Sequence, residues 1–254
     1  MIPAGVERVL AWAALAHLAV GVACAAALLI DAPPVLGVHP AWKPMKFGIS
    51  IALFLAALAV IVPALAVAPA VRRALAWTLV LAMAVEHGAI VGQAVRGVPS
   101  HFNQRTPVDA AAWQAMVVAI IVATVAMIAV AALATWRPLR GPDGRPLPAL
   151  LATAWRAGLW LFLVAAQTGV SMGGRGRHSI GGDDGGPGLP LTHWSTEHGD
   201  LRVAHFLSLH ALQTLPLIAL GLARLPIAAP ARWAALVLAL VAHVAIIGLA
   251  LAQA

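Results

Sequence analysis

The chain has 254 residues, 62% of them hydrophobic and only 10% charged, with a formal net charge of +7. So few polar groups cannot cover a soluble domain of this size, so the composition excludes one and requires an exterior that faces lipid. The positive balance fits basic membrane flanks and calls for no nucleic-acid partner. The one cysteine, Cys24, excludes an intrachain disulfide, a cysteine-ligated metal cluster and c-type haem attachment.

Seven apolar runs reach the ~20 residues that a bilayer crossing needs. They predict spans at about 6–30, 45–68, 73–96, 108–136, 150–172, 200–222 and 230–253. The expected fold is all-α: a single transmembrane domain, a seven-transmembrane-helix bundle with a polar cavity facing away from the cytoplasm. The first run continues through Ile30, too long for a signal-peptide core, and reads as a retained span.

Basic residues set the expected orientation. The N-terminus and the 2–3, 4–5 and 6–7 loops hold Arg8, Arg72, Arg73, Arg137, Arg140, Arg145, Arg156, Arg224 and Arg232. The other side holds Lys43, Lys46, Arg96, Arg105, Arg175, Arg177 and Arg202, offset by six acids. The excess of bases favours a cytoplasmic N-terminus and an extracytoplasmic C-terminus in a bacterial inner membrane.

On that reading the unusual chemistry is extracytoplasmic. The first outer loop, His39-Pro-Ala-Trp-Lys-Pro-Met-Lys-Phe47, puts Pro44 in the first turn of span 2, with Lys46 on the same face as Ser50. The second follows Glu86-His87 and Gln93-Ala-Val-Arg96, and ends at Thr106-Pro-Val-Asp109. That ending is a helix start, so Asp109 reads as a capping group. The third, 173–199, is glycine-rich and holds Arg175, Arg177, Asp183 and Asp184. It suits a backbone nest for an anion or a mobile lid, and lacks the Gly-Lys-Ser/Thr ending of a phosphate loop. Gln93 then Asp109, and Gln167 then Asp200, each bracket an outer loop, the faint outline of a repeated hairpin over spans 3–4 and 5–6.

Span 6 opens Asp200-Leu-Arg-Val-Ala-His-Phe-Leu-Ser-Leu-His-Ala-Leu-Gln213. At 100° per residue Arg202, His205, Phe206, Leu209, His210 and Gln213 share an arc of about 140°. Polar groups at such depth are costly in lipid unless they face protein or water, which makes them site candidates. The plainer alternative is hydrogen-bonding between helices.

Depth layers the remaining candidates. His87 and His210 lie about 14 Å below the outer end of their spans, by the helical rise; His243 is level with them and His17 is deeper. Four imidazoles beside Glu86, with His205, Arg96, Arg202, Lys46 and His101 above, suit a b-type haem or a divalent metal ion. In that reading His87, His210, His243 and His17 are the metal ligands. Arg96, Arg202, Lys46, Gln213 and His101 hold the cofactor or an anionic group, and Glu86, His205 and Asp200 do the acid–base work. No His-x-x-x-His pair offers two ligands on one turn. The expected function is haem- or metal-dependent redox chemistry on a lipophilic small molecule. The alternatives are a metal-dependent lipid hydrolase using Asp200, His205, His210, His101 and Ser100, and a transporter or receptor for an anionic or amphiphilic solute. The last would use a wet cavity lined by Glu86, Gln93, Gln167, Ser171, Arg202 and Gln213.

The stretches Gln93-Ala-Val-Arg-Gly-Val-Pro-Ser-His-Phe-Asn103 and Gly199-Asp-Leu-Arg-Val-Ala-His-Phe-Leu-Ser-Leu-His-Ala-Leu-Gln213 resemble segments of a group of uncharacterised bacterial multi-span inner-membrane proteins. The resemblance covers mainly spans 3 and 6 with their outer loops. It implies a bacterial inner-membrane location and no particular activity.

Overall fold

Apolar runs this long close their backbone hydrogen bonds only as helices when water is absent. In a computed structural model that describes residues 5–254, seven helices are each long and apolar enough to cross a membrane. They are α1 (Val6–Ala27), α2 (Trp42–Ala64), α3 (Pro69–Val95), α4 (Pro107–Trp136), α5 (Ala149–Arg175), α6 (Leu201–Arg224) and α7 (Ala229–Ala252). Their ends fall within a few residues of the hydropathy limits. Two short strands, β1 (Ser179–Ile180) and β2 (Gly199–Asp200), pair antiparallel within the α5–α6 connection.

The helices group into two compact units, one running to Ala129 and the other Val130–Ala254. In the first, α1 and α2 make the main helix pair and α3 packs on both. In the second, α5 and α6 make the main pair and α7 packs on both. The first turns of α4 belong to the first unit. Its last turns belong to the second, where Arg156 Nε donates to Ala134 O at 2.8 Å and Trp160 Nε1 to Thr135 Oγ1 at 3.0 Å.

The two units share one plan, visible residue by residue. Leu65 and Leu225 end α2 and α6 in extended conformation, and their carbonyls accept from Val67 N and Ile227 N, each at 2.9 Å. Arg72 and Arg232 reach back to those same carbonyls, at 3.3 and 2.9 Å. A proline in the first turn starts both α3 and α7. Along α2 and α6 the buried positions correspond at constant spacing: Ala41 with Leu201, Pro44 with Ala204, Gly48 with Ser208, Ile51 with Ala211 and Leu55 with Leu215. Val6 with Ala154 and His17 with Ala165 correspond likewise on α1 and α5. On α3 and α7, Ala76 matches Leu236, His87 matches Ile247 and Ile90 matches Ala250. The repeat is therefore α1–α3 with α5–α7, and not the hairpins of spans 3–4 and 5–6. Glycine-rich sequence lengthens one connection, residues 176–200 against 28–41, and this offset hides the correspondence from a linear reading.

Close helix approach is built on small residues, as packing in lipid favours. A Cβ on Gly48 would sit 2.7 Å from Gly21 Cα and 2.8 Å from His17 O. One on Gly158 would sit 2.7 Å from Ala211 O. Neither helix pair has room for a methyl group there.

Candidate polar site

The first unit gathers a polar cluster at the end where α2 begins and α3 finishes. Glu86 and His87 lie on the buried face of α3. His87 Nε2 lies 3.0 Å from Pro44 O, and its Nδ1 lies 2.8 Å from His17 Nδ1. A carbonyl only accepts, so Nε2 carries the hydrogen of a neutral His87. Its Nδ1 lone pair then takes the Nδ1 hydrogen of His17, which leaves the lone pair of a neutral His17 on Nε2. The rings stack at 5.0 Å. Both nitrogens of His87 are thus committed to protein, and of the two rings only His17 keeps a nitrogen with an uncommitted lone pair.

Glu86 is 6% exposed. Its Oε1 lies 3.5 Å from His101 Nε2, while Oε2 is buried without a hydrogen-bond partner among the described residues. Such an oxygen normally finds a donor, because burying it unpaired costs about 1–3 kcal/mol. The ammonium group of Lys43 is near enough to act on this carboxylate electrostatically, and stands 5.9 Å from the ring centre of Phe47.

His101 reaches Glu86 because the α3–α4 loop is pinned. Thr106 Oγ1 accepts from Asp109 N at 3.2 Å and donates to Asp109 Oδ2 at 2.7 Å, capping α4 as the sequence predicts. Asp109 Oδ1 accepts from Gln93 Nε2 at 2.9 Å and from Arg96 Nη1 at 2.7 Å, and Arg96 also bonds Gln93 Oε1. Inside this frame Asn103 donates to Pro99 O at 3.0 Å. Phe102 takes a positive φ of 60°, a strained choice for an aromatic residue. The His101 ring then lies among Phe47, Phe102 and Trp113, with centroids at 5.7, 5.9 and 5.5 Å. These three aromatic residues escaped the sequence reading. A Phe directly after the histidine was the one available signal. Lys46, expected as an anion clamp, lies half-buried in the first turns of α2.

In the second unit the arc of polar residues on α6 is not the packing face. Leu201, Ala204, Ser208, Ala211, Leu212 and Leu215 are buried, whereas His205, His210 and Gln213 are half-buried and Phe206 is exposed. His205 Nδ1 donates to Ala165 O at 2.9 Å with Thr168 Oγ1 at 3.0 Å, leaving the lone pair of the neutral ring on Nε2. His243 Nε2 donates to Leu207 O at 3.0 Å, a bond from α7 to α6. His210 packs on Phe206, ring centres 4.3 Å apart. Gln213, with its amide turned so that nitrogen faces the carbonyls, donates to Leu209 and His210 of its own helix.

Asp200 caps α6. Its carboxylate accepts from Arg202 N at 2.9 Å, from Ser195 N at 2.8 Å, and from Arg202 Nε and Nη2 at 2.9 and 2.5 Å. Burial opposes ionisation of Asp200, yet these donors outweigh it and hold its carboxyl below the usual range. Gln253, also missed from sequence, donates to Asp200 O at 2.9 Å and accepts from Asp200 N at 3.3 Å. The glycine-rich connection is therefore tied at its base. Asp184 ties it again, accepting from His178 Nδ1 and Ser179 N, each at 2.9 Å.

Among the described residues, no group of three or more His, Cys, Asp or Glu stands close enough together to hold a metal ion. The second unit separates scaffold from site: Ile246 and Ile247 stand where the first unit has Glu86 and His87, and Ala165 where it has His17. At the positions of His87 and His17 the shared helix plan closes with the buried alkyl groups of Ile247 and Ala165, whereas Ile246, opposite Glu86, is exposed. Comparison with protein-family models, curated proteins and solved structures finds no match.

Proposed function

We propose that this chain is a multi-pass protein of the bacterial cytoplasmic membrane, N-terminus inside, that does proton-coupled redox chemistry on a lipophilic small molecule at Glu86 and His101. The observation that carries this reading is the buried, unpartnered Oε2 of Glu86 beside the imidazole of His101. A carboxyl group held away from water with one oxygen unpartnered can take up and release a proton, and an imidazole is the usual next carrier. As the bound molecule gives up electrons to an acceptor of the haem or redox-metal class, Glu86 takes the proton released from its hydroxyl, and His101, with 22% of its side chain exposed, passes it to solvent. Phe47, Phe102 and Trp113 supply the apolar walls such a molecule needs.

A haem or metal form of this reading rests on one further observation. The hydrogen bond from His17 Nδ1 to His87 leaves Nε2 of His17 as a ligating lone pair, the second-sphere arrangement typical of metal-bound histidine. His87 then orients the ligand instead of serving as one.

An absorption spectrum of the detergent-purified protein, before and after dithionite, tests the reading together with metal analysis. A Soret band that shifts on reduction and disappears in His17→Ala supports the haem form. Stoichiometric zinc in a colourless protein points to hydrolysis. Neither pigment nor redox metal, with no quinone-like molecule extracted from the wild type and lost in Glu86→Gln, rejects redox chemistry in favour of solute binding.

A further inference from the structure

The longer α5–α6 connection is the feature the second unit has and the first lacks, and it borders an open hollow of about 410 Å³. Its walls are Arg175, Arg177, Ser179, Ile180, Gly181 and Gly182. Arg175 ends α5, where a cation complements the helix dipole. It makes no hydrogen bond or ion pair among the described residues, so its guanidinium remains available. Arg177 reaches Asp183 at 3.3 Å and Gly182 O at 3.4 Å, but Asp183 is fully exposed and such a partner is easily displaced. Gly181 turns with φ of 92°, and the tie from Asp184 to His178 and Ser179 fixes the chain on the other side of the turn.

We propose that this hollow binds a phosphate group, held between the guanidinium groups of Arg175 and Arg177. Two planar donors converging on a pocket are the chemistry that recognises a phosphate monoester or diester bidentately. The pocket lies directly beyond the end of a helix long and apolar enough to cross a membrane, where a lipid headgroup is one available source of phosphate. The phosphate therefore belongs either to an anionic lipid or to a soluble phosphate compound, and Asp183 acts as the internal anion that yields its place.

The full-length protein in phosphatidylcholine nanodiscs is titrated with inorganic phosphate by calorimetry. In parallel, retention of phosphatidylglycerol by the detergent-solubilised protein is read by native mass spectrometry. Phosphate alone binding assigns a soluble source, and phosphatidylglycerol alone a lipid. In either case R175A/R177A weakens binding at least tenfold, D183N tightens it several-fold, and R140A, which removes an exposed arginine elsewhere, leaves it unchanged. Failure of the wild type to bind either probe overturns the proposal. So does wild-type binding by R175A/R177A, a loss with R140A equal to that of the double variant, or a D183N variant that binds no better than the wild type.

Discussion

Replacing Gly48 with alanine tests whether close helix approach positions the polar cluster. The new methyl would meet only backbone: Gly21 Cα at 2.7 Å, His17 O at 2.8 Å and Gly21 N at 2.9 Å. Restoring an ordinary 3.4 Å contact moves α1 away from α2 by about 0.7 Å. If α1 carries that shift, the His17–His87 bond stretches from 2.8 Å to the limit of a hydrogen bond. Overpacking of this kind costs about 1–3 kcal/mol, against a helix-propensity gain of at most ~1 kcal/mol for removing a glycine. Gly88→Ala is the control: it lies one residue from His87, and its Cβ would meet nothing within 4 Å, so it takes the gain without the cost. The two variants should therefore differ by about 1–3 kcal/mol, or roughly 2–12 °C in Tm for a chain of this size. Thermal unfolding in one detergent measures the gap, and imidazole nitrogen shifts report whether His17 still donates to His87. Equal melting temperatures for the two variants would refute the reasoning.

Gly158→Ala should destabilise the second unit to a similar degree, since its Cβ would lie 2.7 Å from Ala211 O, and the same melts read it. Glu86→Met removes the unpartnered buried Oε2 at similar volume, at the cost of the weak 3.5 Å contact from Oε1 to His101; it should raise Tm, by about 1–3 kcal/mol in stability, while abolishing proton-coupled turnover. A lowered Tm would mean that Oε2 has a partner in solution. Burial disfavours the Asp184 carboxylate, but hydrogen bonds from His178 and Ser179 outweigh it and hold the carboxyl below its usual range. A depressed carboxylate stabilises the fold above its unfolded pKa of about 4, and that contribution fades as pH falls toward the lower folded value. Protection of the Ser179 amide, corrected for intrinsic exchange, should thus exceed that of Asp184→Asn at pH 6 and lose the advantage with acidification below about 4. Arg202→Gln strands the 1%-exposed Asp200 of the α6 cap, and should cost about 3–5 kcal/mol or prevent accumulation of folded protein.

How much of this was legible in the sequence depends on which force decides each feature. The seven helices follow from hydropathy and length alone, so their limits could be read directly. The Thr106–Asp109 cap is local chemistry at fixed spacing and was also readable, whereas the bond from Gln93 to Asp109 was not. The packing face of α6 was not. Polar residues drew attention to the arc of His205, His210 and Gln213, whereas in lipid the contact is made by Ala204, Ser208 and Ala211, whose small size permits close approach. Hydropathy cannot separate two faces when apolar residues gain nothing from leaving lipid. Likewise the clustering of His17, Glu86, His87 and His101 depends on three helices and a loop whose sequence separations carry no signal. The glycine-rich connection looked mobile because composition records backbone freedom, and not the hydrogen bonds to Asp184, Asp200 and Gln253 that remove it.

The doubled helix plan supplies a comparison that a single sequence otherwise lacks. Where both units need only a buried spacer, they carry interchangeable small or aliphatic groups: Ile51 with Ala211, Ala76 with Leu236, Ile90 with Ala250. At His87 and His17 the first unit buries groups that are expensive to bury where the second buries Ile247 and Ala165, and it buries Glu86 where Ile246 is exposed. A residue that costs stability at a position where its counterpart manages without it is held there by something other than folding. The same logic applies in the opposite unit to Arg175 and Arg177, carried at the end of α5 and just beyond it, where the first unit ends α1 at Ala27 with no arginine nearby. The first unit thus departs from the common plan inside its helices at Glu86, His87 and His17, and the second departs both inside its helices, with His205, His210 and His243 opposite Met45, Ser50 and Met83, and at its surface, with Arg175 and Arg177. The proton transfer proposed at Glu86 and the phosphate site proposed at Arg175 and Arg177 are both placed where one unit carries a charged group that its counterpart lacks.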